Sequence, residues 1–202
     1  MVRGLGCAVL VGIASQAAGM KFDFKDPKGV NTVAFSLDAP LEAISGSANG
    51  ITGEVVFDPA KPEATKGRIV VAAASMHVPN PVMKEHMHGK DWMDVANHAE
   101  LVFEAEELVD VQKSGDVFQA KAKGKMTMRG VTKPVTVPVK LTYLKDRLGA
   151  RTNGRMQGDL LVLRAQFSVK RSEFGINPGA PTDKVSDEVE LSLSLAGSAP
   201  KL

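Results

Sequence analysis

An all-β fold, an antiparallel β-barrel of about eight strands with one short helical or looped lid insert, is what this sequence predicts. Three observations carry that expectation. Apolar and polar residues alternate with a period of two over most of the chain, turn-forming residues separate the alternating runs, and one stretch, Asn80–Phe103, breaks the pattern. That stretch, NPVMKEHMHGKDWMDVANHAELVF, holds three of the four histidines and the only tryptophan.

The first segment is not part of the barrel. Gly4–Ala14 is an unbroken run of small and apolar residues after Arg3, followed by Ser15-Gln16-Ala17, which is the layout of a secretory signal over residues 1–17. The run is far shorter than the about 20 residues a membrane-spanning helix needs. Cleavage after Ala17 removes the single cysteine, Cys7, and one cation, Arg3, so basic residues fall from 25 to 24 against 23 acids and the net charge from +2 to +1. The expected product is a soluble periplasmic or secreted protein of one barrel domain, residues 21–197, large enough to fold without disulfides.

Strands are expected at Phe22–Asp26, Asn31–Leu37, Leu41–Ala48, Ile51–Phe57 and Gly67–Met76, with turn chemistry at Ala48-Asn49-Gly50 and Asp58-Pro59. After the insert come Glu100–Val111, the turn Lys113-Ser114-Gly115-Asp116, and Phe118–Met128. Three clean alternations follow: Val135–Tyr143, Leu161–Val169 and Val189–Leu195. Each strand has one dry face and one wet face. A barrel or a sandwich hides the dry faces, and strands near ten residues in a count near eight favour the barrel.

Several landmarks fall in a set order. They are Gly53-x-x-x-Phe57-Asp58-Pro59, Ala74-Ser75, His86-Met87-x-x-x-Asp91-Trp92-Met93-Asp94 leading to Phe103, Gly130-Val131-Thr132-Lys133-Pro134-Val135-Thr136, Arg171-Ser172-x-Phe174-Gly175-x-Asn177, and Asp187-Glu188-Val189. In this order and spacing, from about Phe22 to Ala196, the chain resembles the YceI-like family. The resemblance implies a lipocalin-like antiparallel barrel, a secreted or periplasmic location, and binding of polyisoprenoid or other long-chain lipids inside the barrel. It implies no established enzymatic activity. The lid departs from the family pattern: Met83 and Lys84 stand where an Arg-Asp pair is usual, Trp92-Met93 where paired aromatics are, His88 in place of a basic residue, and His98-Ala99 in place of Tyr-Pro.

A long apolar ligand, a polyisoprenoid or a quinone, needs a dry tube, gaining roughly 0.8 kcal/mol per buried methylene. The expected wall residues are Phe35, Ile51, Leu101, Phe103, Phe118, Met126, Val137, Leu141, Tyr143, Leu163 and Phe167, with Trp92 and His86 on the lid. The same alternation also builds an ordinary filled core, and periodicity alone favours that; the ligand pocket rests on the resemblance. No further cofactor is required.

Two other features carry hypotheses. His77, His86, His88 and His98, with Met76, Met83, Met87 and Met93 close in sequence, offer imidazole and thioether ligands suited to copper(I) or haem, although their spacing matches no compact metal motif. Lys121, Lys123 and Lys125 share the outer face of one strand with Arg129 and Lys133 nearby, a basic stripe that would suit transient contact with anionic lipid headgroups. Nucleic acid is not an expected partner, because the charge is near zero and aromatics are 5% of residues. A two-fold homodimer is compatible with a barrel that presents edges or a lid, though no residue demands one. Enzymatic motifs are missing from the sequence: there is no glycine-rich phosphate loop, no Gly-x-Ser-x-Gly elbow and no cysteine beyond the signal.

Overall fold

The computed structural model describes residues 19–201; the signal segment and Cys7 lie outside the described residues. Ten strands make one antiparallel sheet: β1 (Met20–Asp23), β2 (Thr32–Asp38), β3 (Ala43–Ala48), β4 (Ile51–Phe57), β5 (Lys66–Ala72), β6 (Glu100–Ser114), β7 (Val117–Met128), β8 (Val131–Leu144), β9 (Gly158–Lys170) and β10 (Glu188–Pro200). The order β1-β4-β5-β6-β7-β8-β9-β10 closes on itself through Asp23 opposite Ser198, giving a ring of eight.

Hairpin β2–β3 accounts for the other two. β10 is long enough to hold β9 along its whole length on one edge and to divide the other edge between β1, at Ser198, and β2, at Glu190 to Ser194. β3 then continues the wall, and its Ser47 bridges to His77 in the segment entering the lid. Closure leaves most of the sheet without free edges.

Local chemistry explains the register. Met128 pairs with Val131 across a two-residue turn in which Arg129 (φ 48°) and Gly130 (φ 74°) are both left-handed, the requirement of a hairpin that matches strand twist. In β6 the run Glu104-Ala105-Glu106-Glu107-Leu108 slips phase. A bulge between Ala105 and Glu107 places Glu106 and Glu107 both outside and returns Leu108 to the interior.

The lid insert contains α1 (Pro81–His88). Asn80 caps it by accepting from the backbone N–H groups of Val82 and Met83 at 3.0 and 3.1 Å, and Pro81 opens the first turn. A second short helix, α2 (Leu148–Arg151), lies in the β8–β9 connection, a stretch without helical periodicity.

The interior has two parts. At the end marked by the β8–β9 connection, Phe22, Phe57, Phe118, Leu161 and Leu195 are fully buried in one cluster. Toward the lid a second cluster forms from Met93, Met126, Met128, Phe174 and Ile176, with Met76, Met87 and Trp92 packed on it.

Candidate functional site: an apolar cavity under the lid

Between the two clusters the barrel encloses a cavity of about 210 Å³. Its depth is readable strand by strand. On β7, Met128, Met126 and Ala122 line the cavity, while Ala120 and Phe118, further along the same face, lie beneath it. On β9, Leu163, Ala165, Phe167 and Val169 line it and Leu161 does not; on β10, Val189, Leu191 and Leu193 do and Leu195 does not. Leu101, Phe103, Leu163, Phe167, Leu191 and Leu193 face inward yet are only half-buried. In a filled core those positions would be dry. Among the lining side chains only Thr65, Trp92 and Arg171 carry N–H or O–H groups, and the Thr65 hydroxyl already donates to Pro62 O at 2.5 Å.

The sequence-derived wall therefore divides. Phe35, Trp92, Leu101, Phe103, Met126, Val137, Leu141, Leu163 and Phe167 line the cavity. Ile51, Phe118 and Tyr143 do not; they belong to the filled end or pack against it. His86 sits exposed on α1 and is not part of the lining.

Beneath the cavity is a floor. Phe57 and Phe118 meet edge to face at 5.1 Å between ring centres, and Tyr143 packs on Phe22 and Phe57 at 6.3 Å from each. The Tyr143 hydroxyl donates to the buried Asp159 at 2.5 Å, and Asp159 also accepts from the Asp146 N–H at 2.9 Å and faces Lys201 at 3.4 Å. Burial pushes the Asp159 carboxyl up, but the Tyr143, Asp146 and Lys201 donors outweigh it and hold it below the ordinary carboxylate value. Burial and the same carboxylate push the Tyr143 hydroxyl well above its usual value.

Arg171 organises the mouth. It is 2% exposed, and its side-chain N–H groups donate to five backbone carbonyls of the loop that follows: Ser186 at 3.0 Å, Ile176 at 3.2 Å, Ala180 and Val185 at 3.1 Å, and Asn177. Trp92 covers the guanidinium at 5.7 Å. With its donors committed, Arg171 shapes the rim and offers a ligand its charge but no free N–H. Ser172 pairs with Asp187, N–H to Oδ1 at 2.9 Å and hydroxyl to Oδ2 at 2.8 Å, fixing the entry to β10. The five-carbonyl network itself leaves no periodic signal in the sequence.

The lid is strapped across this rim. Arg129 donates to Lys90 O at 2.9 Å and to Gly175 O at 2.5 Å, joining the β7–β8 turn to the lid and to the Arg171 loop. His88 Nε2 lies 2.9 Å from Met76 O, and His98 packs against Gly130 with Asp94 at 3.9 Å. His77, exposed, contributes its backbone to the bridge with Ser47. The four histidines thus hold separate positions, and among the described residues no three His, Cys, Asp or Glu side chains group as metal ligands. The methionines do converge: Met76, Met87, Met93, Met126 and Met128 all line the cavity at its lid end.

The basic stripe has partners that the sequence did not reveal. Lys121 pairs with Asp110 at 2.8 Å, Lys123 with Glu107 at 3.3 Å and Lys125 with Glu106 at 2.8 Å. The stripe is one side of a surface ion-pair zipper with β6, so its three lysines present little free positive charge to a membrane.

The elements thus define a closed antiparallel barrel with an apolar cavity beneath a lid. The YceI-like domain matches residues 25–196, and the chain belongs to the YceI-like family. A UPF0312 protein of Yersinia pestis is 32% identical over 152 residues, covering 75% of this chain and 72% of that protein. Among solved structures, Burkholderia cenocepacia BcnA superposes with a TM-score of 0.65 at 23% identity over 82% of this chain and 95% of that one. A polyisoprenoid binding domain from Saccharophagus degradans superposes with a TM-score of 0.66 at 11% identity, over 90% of this chain and 99% of that one. At these identities the two structures bear on the fold.

Proposed function

We propose that the protein is a binding protein, not a catalyst, and that it holds an apolar lipid, a prenyl or quinone-like chain, with the chain inserted in the barrel under the lid. The observation that carries this reading is the row of inward-facing yet half-buried apolar side chains around a cavity of about 210 Å³. Such a lining leaves apolar surface wet when empty and gains roughly 25 cal/mol per Å² when a ligand covers it. The polyisoprenoid binding domain from Saccharophagus degradans supports the ligand class through shared architecture.

The secretory-type leader in the sequence supports export, and storage or transfer of the lipid through the periplasm is the role that joins export to an apolar cavity. Five methionines around the lid end suit a carrier, because thioether side chains refill irregular space as a bound chain shifts.

Mass spectrometry of the organic extract tests this, using protein purified without detergent from its native compartment beside an unrelated secreted protein. A prenyl or acyl species enriched to near one per chain is expected. An empty extract contradicts resident lipid.

A further inference from the structure

We propose that Met76 and Met87, at the mouth of the cavity, form an oxidative modification site: hydroperoxides convert their thioethers to sulfoxides and so loosen the barrel's hold on an apolar chain. This rests on the lipid-binding reading above and adds a chemical control to the same site.

Five of the chain's nine methionines line the cavity, but they are not equally open to an oxidant. Met93, Met126 and Met128 are 6%, 7% and 6% exposed. Met76 and Met87 line the same space yet are only half-buried. The lid holds these two at one place. His88 Nε2 lies 2.9 Å from Met76 O, and Met87 O accepts from the Met93 N–H at 3.0 Å. α1, which carries Met87, has no fully buried residue. The chain's single cysteine is Cys7, so thioethers are the oxidisable sulfur of the barrel itself.

The reaction transfers one oxygen. The sulfur lone pair attacks the terminal oxygen of the hydroperoxide, the O–O bond breaks and an S–O bond forms. Sulfur loses two electrons, the hydroperoxide is reduced to its alcohol, or to water from hydrogen peroxide, and the proton of the transferred oxygen ends on that leaving group.

The lining has almost nothing with which to accept the product. A sulfoxide oxygen needs a hydrogen-bond donor, and the Thr65 hydroxyl already donates to Pro62 O. All five N–H groups of Arg171 go to backbone carbonyls. The Trp92 indole N–H is the remaining donor in the lining, one group for two sulfoxides. A sulfoxide that faces the bound chain is left unpaired in an apolar space, which is costly. One that turns to water takes its side chain off the ligand. Both outcomes weaken binding.

The test is to treat the folded full chain with hydrogen peroxide, locate sulfoxides by peptide mass spectrometry, and titrate treated and untreated protein calorimetrically with farnesol. Met76 and Met87 are expected to be oxidised ahead of Met93, Met126 and Met128, together with Met156, which is 43% exposed and outside the lining. Farnesol affinity is expected to fall about tenfold or more, and treatment with the two methionine sulfoxide reductases, one for each epimer, is expected to restore it. Met156→Leu is expected to lose affinity on oxidation as the native chain does. The double variant Met76→Leu, Met87→Leu is expected to keep its own untreated affinity. If that variant does not fold, reversal by the reductases decides. Oxidation that spares Met76 and Met87, that leaves affinity unchanged, or that weakens the double variant equally overturns the modification site while leaving lipid binding intact. Untreated protein that binds no farnesol overturns both.

Discussion

The floor and the mouth of this barrel are built from the same alternating strands, yet one is packed solid and the other is hollow. On β7, β9 and β10 the inward row runs from cavity-lining residues near the lid to fully buried ones at the other end. What differs is side-chain size and type. Four phenylalanines, Phe22, Phe24, Phe57 and Phe118, gather at the floor, where they fill the tube. Small residues, Ala48, Gly67, Ala105, Ala122 and Ala165, line the hollow part. The same fold thus yields a stable plug and a binding space according to where large side chains stop.

The sharpest way to break this comparison is to truncate one phenylalanine at each level. Phe118→Ala is expected to lower unfolding free energy in urea by about 3–5 kcal/mol. Phe167→Ala, which faces space that is already empty, is expected to cost about 1–2 kcal/mol and to show its main effect on ligand affinity. Equal costs at the two positions contradict a filled floor and a hollow mouth.

Arg171→Met is next in size. It leaves five carbonyls of the 176–186 loop without their donor, with an expected loss of about 2–3 kcal/mol and faster proteolysis within that loop. A variant as stable and protease-resistant as the native chain removes the rim role assigned to Arg171.

Tyr143→Phe tests how firmly the floor is anchored, with an expected loss of about 1–2 kcal/mol. The Asp159 carboxyl lies below its unfolded value, so its contribution is complete above about pH 4 and disappears as pH falls through the lowered folded value. The Tyr143 hydroxyl lies above its unfolded value, so its contribution holds below about pH 10 and is lost as pH rises further. Urea midpoints for native and Tyr143→Phe protein are therefore expected to differ through neutral pH and to approach each other in acid. A constant gap down to pH 2 contradicts this coupling. Smallest of all, Lys121→Ala, in the exposed zipper on the outer face of β7, is expected to leave the urea midpoint where it was.

Much of the wall was legible in the sequence because a period of two states which face a residue occupies. Phe35, Leu163 and Phe167 were placed inward on that basis and line the cavity. Depth was not legible. Ile51, Phe118 and Tyr143 alternate as the lining residues do, and only their position along the closed barrel puts them at the filled end. The zipper shows the same limit across strands. Lys121, Lys123 and Lys125 were read as one free stripe because their partners Asp110, Glu107 and Glu106 are supplied by a neighbouring strand whose register passes through a bulge. The carbonyl network of Arg171 and the α2 turn carry no periodic signal, so neither was legible.

The chain's only tryptophan stands at the mouth, lining the cavity beside Met87 and over Arg171, so the barrel carries its own reporter. The most direct test is to titrate the full chain with decanol and with its bromine-tipped analogue, 10-bromodecanol, while recording Trp92 emission. Occupancy of the cavity predicts saturable changes with both ligands at one per chain, stronger quenching by the brominated chain, and weaker binding in Ala122→Leu. Emission that does not respond to either ligand, or responds without saturating and identically in Ala122→Leu, contradicts an apolar binding space beneath the lid.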